Sequence, residues 1–259
     1  MIVTGRQPEP RRRPSRVRRD VEHRRSEIVP INTRFLVAAV ATATATVGVA
    51  PSPSSSVEAA TPACGPGCIS IFSRALGTYD QPNVVETVLG GVAQVGQPVI
   101  LSPASSADPS QDLMPRPGLV SQFHAAGMVS DDVDHHYGDL RAAQIEYSPH
   151  GDRTGLCVGL ASAAHQNQGL TLQPCTTPGT TVWIIDTADS PGTISDGFFP
   201  LVNGSTTNFT HPFAMELPRS ADLGDPTRSQ IRVRRLQFVG RDHTPPERQL
   251  WGTLVGVLM

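Results

Sequence analysis

The sequence predicts an all-β protein, a barrel built from three degenerate units. Three observations carry that prediction. Short runs rich in branched and aromatic residues recur after residue 60, and turn clusters such as GG, NG and SADPSQD separate them. Three of the runs open alike: ISIFSR at 69, AQIEYS at 143 and PLVNGS at 200. Three later stretches close alike: QDL at 111–113, TVW at 181–183 and QLW at 249–251. The openings are spaced unequally, by 74 and then 57 residues, so the repeats carry insertions.

From the start of the chain, the first elements are not part of the barrel. Residues 1 to 34 hold ten of the 21 basic residues, all arginine. The apolar run FLVAAVATATATVGVA follows at residues 35 to 50, uncharged and shorter than the roughly 20 residues of a membrane span. Small residues close it at Val57-Glu58-Ala59. This order reads as an arginine-rich leader and secretory signal peptide over residues 1–59, with no stable membrane span after cleavage. Arg34 alone supplies the charge such a signal needs, so the true translation start is expected near residue 28. Beyond residue 59 there remain 11 arginines against 18 acidic residues, a net charge of −7. That balance excludes nucleic acid and anionic membranes as expected partners. The absence of lysine and the Ala/Thr-rich composition fit a bacterial source.

Residues 60–259 form one expected domain, with units of about 64–118, 119–190 and 191–259. Expected strands cover 69–73, 83–88, 98–102, 143–148, 156–160, 170–174, 181–185, 199–203 and 231–239, with HPFAMEL (211–217) as a further candidate. The stretch SQFHAAGMVSDDVD (121–134) alone suggests helix, and Gly127 weakens it. All four cysteines lie beyond the cleavage signal, which points to disulfides in an oxidising compartment. Three pairings are possible. Cys64–Cys68 with Cys157–Cys175 is favoured, because CGPGC can close a tight glycine turn and the second pair can clamp adjacent strands.

The second unit resembles the ricin B-type lectin repeat of the β-trefoil fold. Gly155-Leu156-Cys157-Val158-Gly159 matches the opening of that repeat, Gly169 to Cys175 its middle, and Thr181-Val182-Trp183 its end. Gln249-Leu250-Trp251 is a full Q-x-W, and Gln111-Asp112-Leu113 is similar with leucine in place of tryptophan. The resemblance covers roughly 30 residues well and implies a divergent secreted β-trefoil-like lectin scaffold. In that family a carboxylate after the first cysteine, an aromatic platform and an amide pair hold a sugar. Here Gly159, Gln173, Thr180 and Thr181 stand at those positions of the second unit. In the first unit Glu86 stands at the carboxylate position and Ser102 at the platform. Arg248 and Gln249 of the third unit can hydrogen-bond a ligand. Tyr79 and Phe209 are the candidate exposed aromatics, and Trp183 and Trp251 the expected core anchors.

DDVDHHYGD (131–139) gathers carboxylates and imidazoles but lacks an EF-hand or H-x-x-x-H spacing, so a solvated loop without metal is expected. His124, His150, His165, His211 and His243 are scattered, and neither G-x-S-x-G nor H-E-x-x-H occurs. In IRVRRLQFVGR (231–241) strand alternation puts Arg232 and Arg234 opposite Ile231, Val233 and Arg235. The sequons at Asn203 and Asn208 are expected to be bare turn formers. The function expected from these readings is a secreted, non-enzymatic recognition module that needs no cofactor. Its expected partner is a carbohydrate or cell-surface glycan, bound at a non-standard site. The alternatives are a structural or protein-binding exoprotein, and third a secreted hydrolase.

Overall fold

The computed structural model describes residues 64–65, 67–188, 196–218, 226–239 and 244–255. The leader, the apolar run of residues 35 to 50, the cleavage signal and His243 lie outside the described residues. Twelve strands follow in order: β1 (Ile69–Ser73), β2 (Val84–Val88), β3 (Val99–Pro103), β4 (Leu113–Leu119), β5 (Arg141–Tyr147), β6 (Leu156–Gly159), β7 (Thr171–Pro174), β8 (Trp183–Ile185), β9 (Leu201–Asn203), β10 (Phe213–Glu216), β11 (Arg232–Arg235) and β12 (Trp251–Val255).

Six of them close a barrel. β1 pairs with β12 from Ile69↔Val255 to Ser73↔Trp251 and touches β4 at Ile69↔Leu113. β4 pairs with β5, β5 with β8 and β8 with β9. The ring shuts where Phe199, just before β9, exchanges two backbone hydrogen bonds with Trp251, at 3.1 and 3.0 Å. The other six strands form three hairpins, β2–β3, β6–β7 and β10–β11. The hairpins meet in a closed triangle of hydrogen bonds. Val99 N–H donates to Leu170 O at 3.0 Å, Leu170 N–H to Ile231 O at 2.8 Å, and Ile231 N–H to Val99 O at 3.1 Å. A six-stranded barrel capped by three hairpins about a pseudo-threefold axis is a β-trefoil. The all-β, three-unit expectation is met.

The triangle fixes which residues correspond. Leu101, Leu172 and Val233 lie two positions beyond its corners, and all are buried in the main core. Their cross-strand partners are Glu86, Val158 and Met215. The anchors at the unit ends are equally plain. Trp183 and Trp251 are 1% and 0% exposed, and each indole N–H donates to a hairpin carbonyl, Val158 O at 2.9 Å and Met215 O at 3.0 Å. Leu113, fully buried, fills the corresponding place in the first unit and has no N–H to give.

Two elements depart from the sequence expectation. β4 carries Pro115 and Pro117 inside the strand. It pairs with β5 along its length but with β1 only at Leu113. Prolines on alternate residues direct both missing N–H groups to the same edge, and here that edge is unpaired. DDVDHHY is not a loop but a helix. An inserted pair, α1 (Val120–Ala125) and α2 (Asp131–Tyr137), joins β4 to β5. Gly127, at φ +71°, turns the chain between them, and the Ser130 hydroxyl accepts the Val133 N–H as an N-cap. Asp131, Asp132 and Asp134 then fall in the first turn, where the helix dipole favours acids. Val133 and Tyr137 bury the inner face in a second core cluster with Val182, Ile184 and Val202.

Both disulfides form as expected, Cys64–Cys68 and Cys157–Cys175. The second ties β6 to the residue after β7 across 18 positions of sequence. Mutating Cys157 and Cys175 together to alanine is expected to cost roughly 3 kcal/mol by the loop-entropy relation. Denaturant unfolding checks this, with non-reducing peptide mapping to prove the linkage. A free thiol at either residue would contradict the clamp.

Candidate functional site

The sequence resemblance assigns the ligand-facing positions of each unit to the outward face of its cap hairpin. Once Glu86, Val158 and Met215 are set equivalent on the core side, the next residues outward are Thr87, Gly159 and Glu216. Diagonal to them on the same face of each hairpin, the positions that the resemblance gives to the platform are Ser102, Gln173 and Arg234. This corrects the sequence alignment by one residue in the first unit: Thr87, not Glu86, holds the carboxylate position. Glu86 points the other way. It shares its strand face with Val88 of the main core and is wholly buried. Neither carboxyl oxygen has a hydrogen-bond partner among the described residues, and burial alone pushes its pKa up to about 8.

The second unit is shut. A Cβ at Gly159 would lie 2.9 Å from both Thr180 O and Thr181 Cγ2, so no carboxylate fits there without backbone movement. Thr181, in the place of the Q-x-W glutamine, donates its hydroxyl to Thr177 O at 2.9 Å. Gln144 of β5 reaches in with its amide to Cys175 O at 2.5 Å and Thr181 Oγ1 at 2.9 Å. It makes the bond to the hairpin end that the motif glutamine makes in the other units. There Gln111 donates to Pro103 O at 2.8 Å and Gln249 to Arg235 O at 3.0 Å. The motif glutamines are therefore hairpin braces.

The first unit holds an open concavity of about 490 Å³. Its hairpin wall is made of hydroxyls: Thr87 and Ser102 lie 2.6 Å apart, and Gln111 Nε2 donates to Ser102 at 3.1 Å. A turn supplies the carboxylate. Asp108 Oδ1 accepts from Ser110 N at 2.9 Å and Ser110 Oγ at 2.6 Å, while Oδ2 has no hydrogen bond among the described residues. Tyr147 closes the floor with its hydroxyl on Gly91 O at 3.0 Å. Burial raises the pKa of that phenol, and the charges of Asp112 and Asp108 raise it further. His150 lines the rim with φ +57°, held by its N–H on Asp112 Oδ2 at 2.8 Å.

The third unit has a carboxylate that sequence reasoning missed. Glu216, 5% exposed, brings Arg248 and Gln249 together: Gln249 Nε2 donates to Oε2 at 2.8 Å, and Arg234 and Arg248 approach Oε1 at 3.4 and 4.0 Å. The alternation in FAME, with Met215 inward, was the signal that could have placed Glu216 outward.

The two candidate aromatics are not brought to any of these places. Tyr79 packs against Phe72 and Phe198, at ring separations of 5.2 and 5.0 Å, and donates its hydroxyl to Gly197 O. Phe209 lies on His136 at 4.7 Å and on Tyr137 at 5.9 Å, against the helical insertion. Asn203 is buried, with its amide on Thr180 O, whereas Asn208 is exposed and caps His211 N. His124 is held between Asp131 at 2.7 Å and Asp134 at 3.4 Å. No described histidine ring meets a serine hydroxyl, and among the described residues no three potential metal ligands converge.

No family model and no curated protein matches the chain. Among solved structures, it is similar to the designed threefold symmetric protein ThreeFoil, at 14% identity and a TM-score of 0.46, over 73% of this chain and 98% of that one. The Rhizoctonia solani agglutinin matches at 12% identity and a TM-score of 0.42, over 73% and 95% of the two chains. The Macrolepiota procera ricin B-like lectin, solved in complex with lactose, matches at 13% and 0.41, also over 73% and 95%.

Proposed function

We propose that the protein is a non-enzymatic recognition module of the oxidising, extracytoplasmic space that binds a hydroxyl-rich ligand, a carbohydrate, in the concavity of its first unit. The observation that carries this reading is the wall of that concavity. The hydroxyl oxygens of Thr87, Ser102 and Ser110 keep lone pairs to accept, the Thr87–Ser102 pair can turn a proton outward, and Asp108 Oδ2 is a carboxylate acceptor with no hydrogen bond among the described residues. A sugar needs this alternation of donors and acceptors in a shallow site, where little area is buried. With no aromatic platform, binding rests on hydrogen bonds alone. The two disulfides fit an oxidising compartment, and among the described residues no helix is long and apolar enough to cross a membrane.

A protein-binding role draws on one specific feature. Val92 and Val95, 46% and 52% exposed, stand between β2 and β3, just after Gly90 and Gly91 of the concavity's lining. A glycan array probed with the purified full-length chain separates the two readings. Binding that is lost in Asp108→Ala and Ser110→Ala, with an unchanged melting temperature, is the expected result. Silence across the array with an intact circular-dichroism spectrum would sink the carbohydrate reading and leave the protein-binding one.

A further inference from the structure

The outer face of β10–β11 carries more positive charge than its carboxylate needs. Strand register sets Arg232 directly across from Glu216. Arg234 lies two residues on along the same face and reaches Glu216 Oε1 at 3.4 Å, and Arg248 approaches that oxygen at 4.0 Å. Two guanidiniums thus approach one carboxylate and a third arginine stands across the strand from it, on a protein whose chain beyond residue 59 is net −7. Arginine cannot relieve that excess by losing a proton.

The donors are also unequally used. Glu216 is occupied on both oxygens, by Gln249 and Arg234. Arg234 Nε is held by Asn167 Oδ1 at 2.6 Å, and Arg248 Nη2 by Leu217 O at 2.5 Å. Arg232 differs: its side chain makes no hydrogen bond or ion pair among the described residues, and its Nε is buried. A buried donor without an acceptor is costly, and water or an ion can satisfy such a group. What the face lacks is negative oxygen in a geometry that a guanidinium fork can grip, which a carboxylate or a sulfate supplies.

We propose that this face of the third unit is an anion subsite that takes carboxylated or sulfated oligosaccharides, with Arg232 as its first donor and Arg234 beside it. The inference rests on the carbohydrate reading above and adds charge to it. It also inverts the chemistry implied by the sequence resemblance, in which a free carboxylate and an aromatic ring meet a neutral sugar. Here the carboxylate is already neutralised, and an arginine stands in the platform position.

The test is calorimetric titration of the full chain with oligogalacturonate, dextran sulfate and uncharged dextran. Binding of at least one charged probe is expected, with the carboxylated and sulfated arms showing which source fits. Affinity should fall about tenfold or more in Arg232→Gln, be partly restored in Arg232→Lys, and weaken as salt rises from about 0.05 to about 0.5 M. Melting curves confirm that both variants fold. Equal affinity in Arg232→Gln, equal binding of uncharged dextran, or tighter binding of polyglutamate than of either saccharide would overturn the inference. A chain that binds neutral glycans on the array but neither charged probe overturns this proposal alone, whereas one that binds no saccharide overturns both.

Discussion

Replacing Glu86 with leucine is expected to stabilise the protein, by roughly 5 kcal/mol at pH 8 and above. The carboxyl sits on the core face of β2, where the other units place Val158 and Met215, and it finds no hydrogen-bond partner among the described residues. Burial raises its pKa from 4.5 to about 8. The folded chain therefore keeps a proton that the unfolded chain has already released between those two values. The unfolded state binds fewer protons throughout that window, so stability falls as pH rises from 4.5 towards 8 and levels off beyond it.

Leucine removes the ionisation and the slope together. At this chain length the gain corresponds to a rise of roughly 10–20 °C in melting temperature at alkaline pH. Glu86→Gln should flatten the profile while recovering less, because its amide would still be buried without partners. Glu146 does not blur the experiment. Burial pushes that carboxyl up, but hydrogen bonds from Arg116, Arg153 and the Gly155 N–H outweigh it and leave its pKa below the ordinary value. Its contribution is present above the unfolded pKa and is lost only in acid, outside the Glu86 window. Melting curves from pH 4 to 9 on wild type and both variants decide the matter. A wild-type profile as flat as that of Glu86→Leu would refute the buried-acid account.

Glu86 also shows where sequence reasoning ran out. The run VVETV has apolar residues on both strand faces, since the outer face of this hairpin is itself covered, so alternation could not say which way the glutamate turned. The second unit has Cys157 to fix its register, and the first has no such marker. The branched runs of β1, β2, β3 and β9 were legible because branched side chains suit a pleated, buried surface. β4 was not, because its two prolines argue against a strand until the unpaired edge is known. The helical reading of 121–134 covers most of α1 and the start of α2, but 131–139 also reads as solvated loop unless the Ser130 cap and the first-turn preference for acids are weighed together. The binding positions were harder still. Asp108 and Glu216 reach their places through a turn and a hairpin register, and neither leaves a fixed spacing from the motif residues that the sequence displays.

The three units have diverged by what fills each outer position, while the inner scaffold stays nearly constant, and this gives the second large expectation. Trp183→Ala should cost roughly 3–5 kcal/mol, the range for deleting a large buried aromatic side chain. Trp183 is 1% exposed, packs in the main core and spends its indole N–H on Val158 O at 2.9 Å. The truncation therefore removes buried area and strands a buried carbonyl at the same time. Trp183→Phe should cost less, since most of the packing survives and chiefly the hydrogen bond is lost, worth about 1 kcal/mol. Trp251→Ala, with the same hydrogen bond to Met215 O, should behave alike, because Trp251 occupies the equivalent site and also closes the barrel against Phe199. Leu113→Ala, at the third equivalent site, should fall within roughly 2–5 kcal/mol, without a lost indole bond to add. Urea unfolding of the four variants gives the ranking. If Trp183→Ala unfolds with the wild-type midpoint, the indole is not a core anchor, and the equivalence of the three unit ends fails with it.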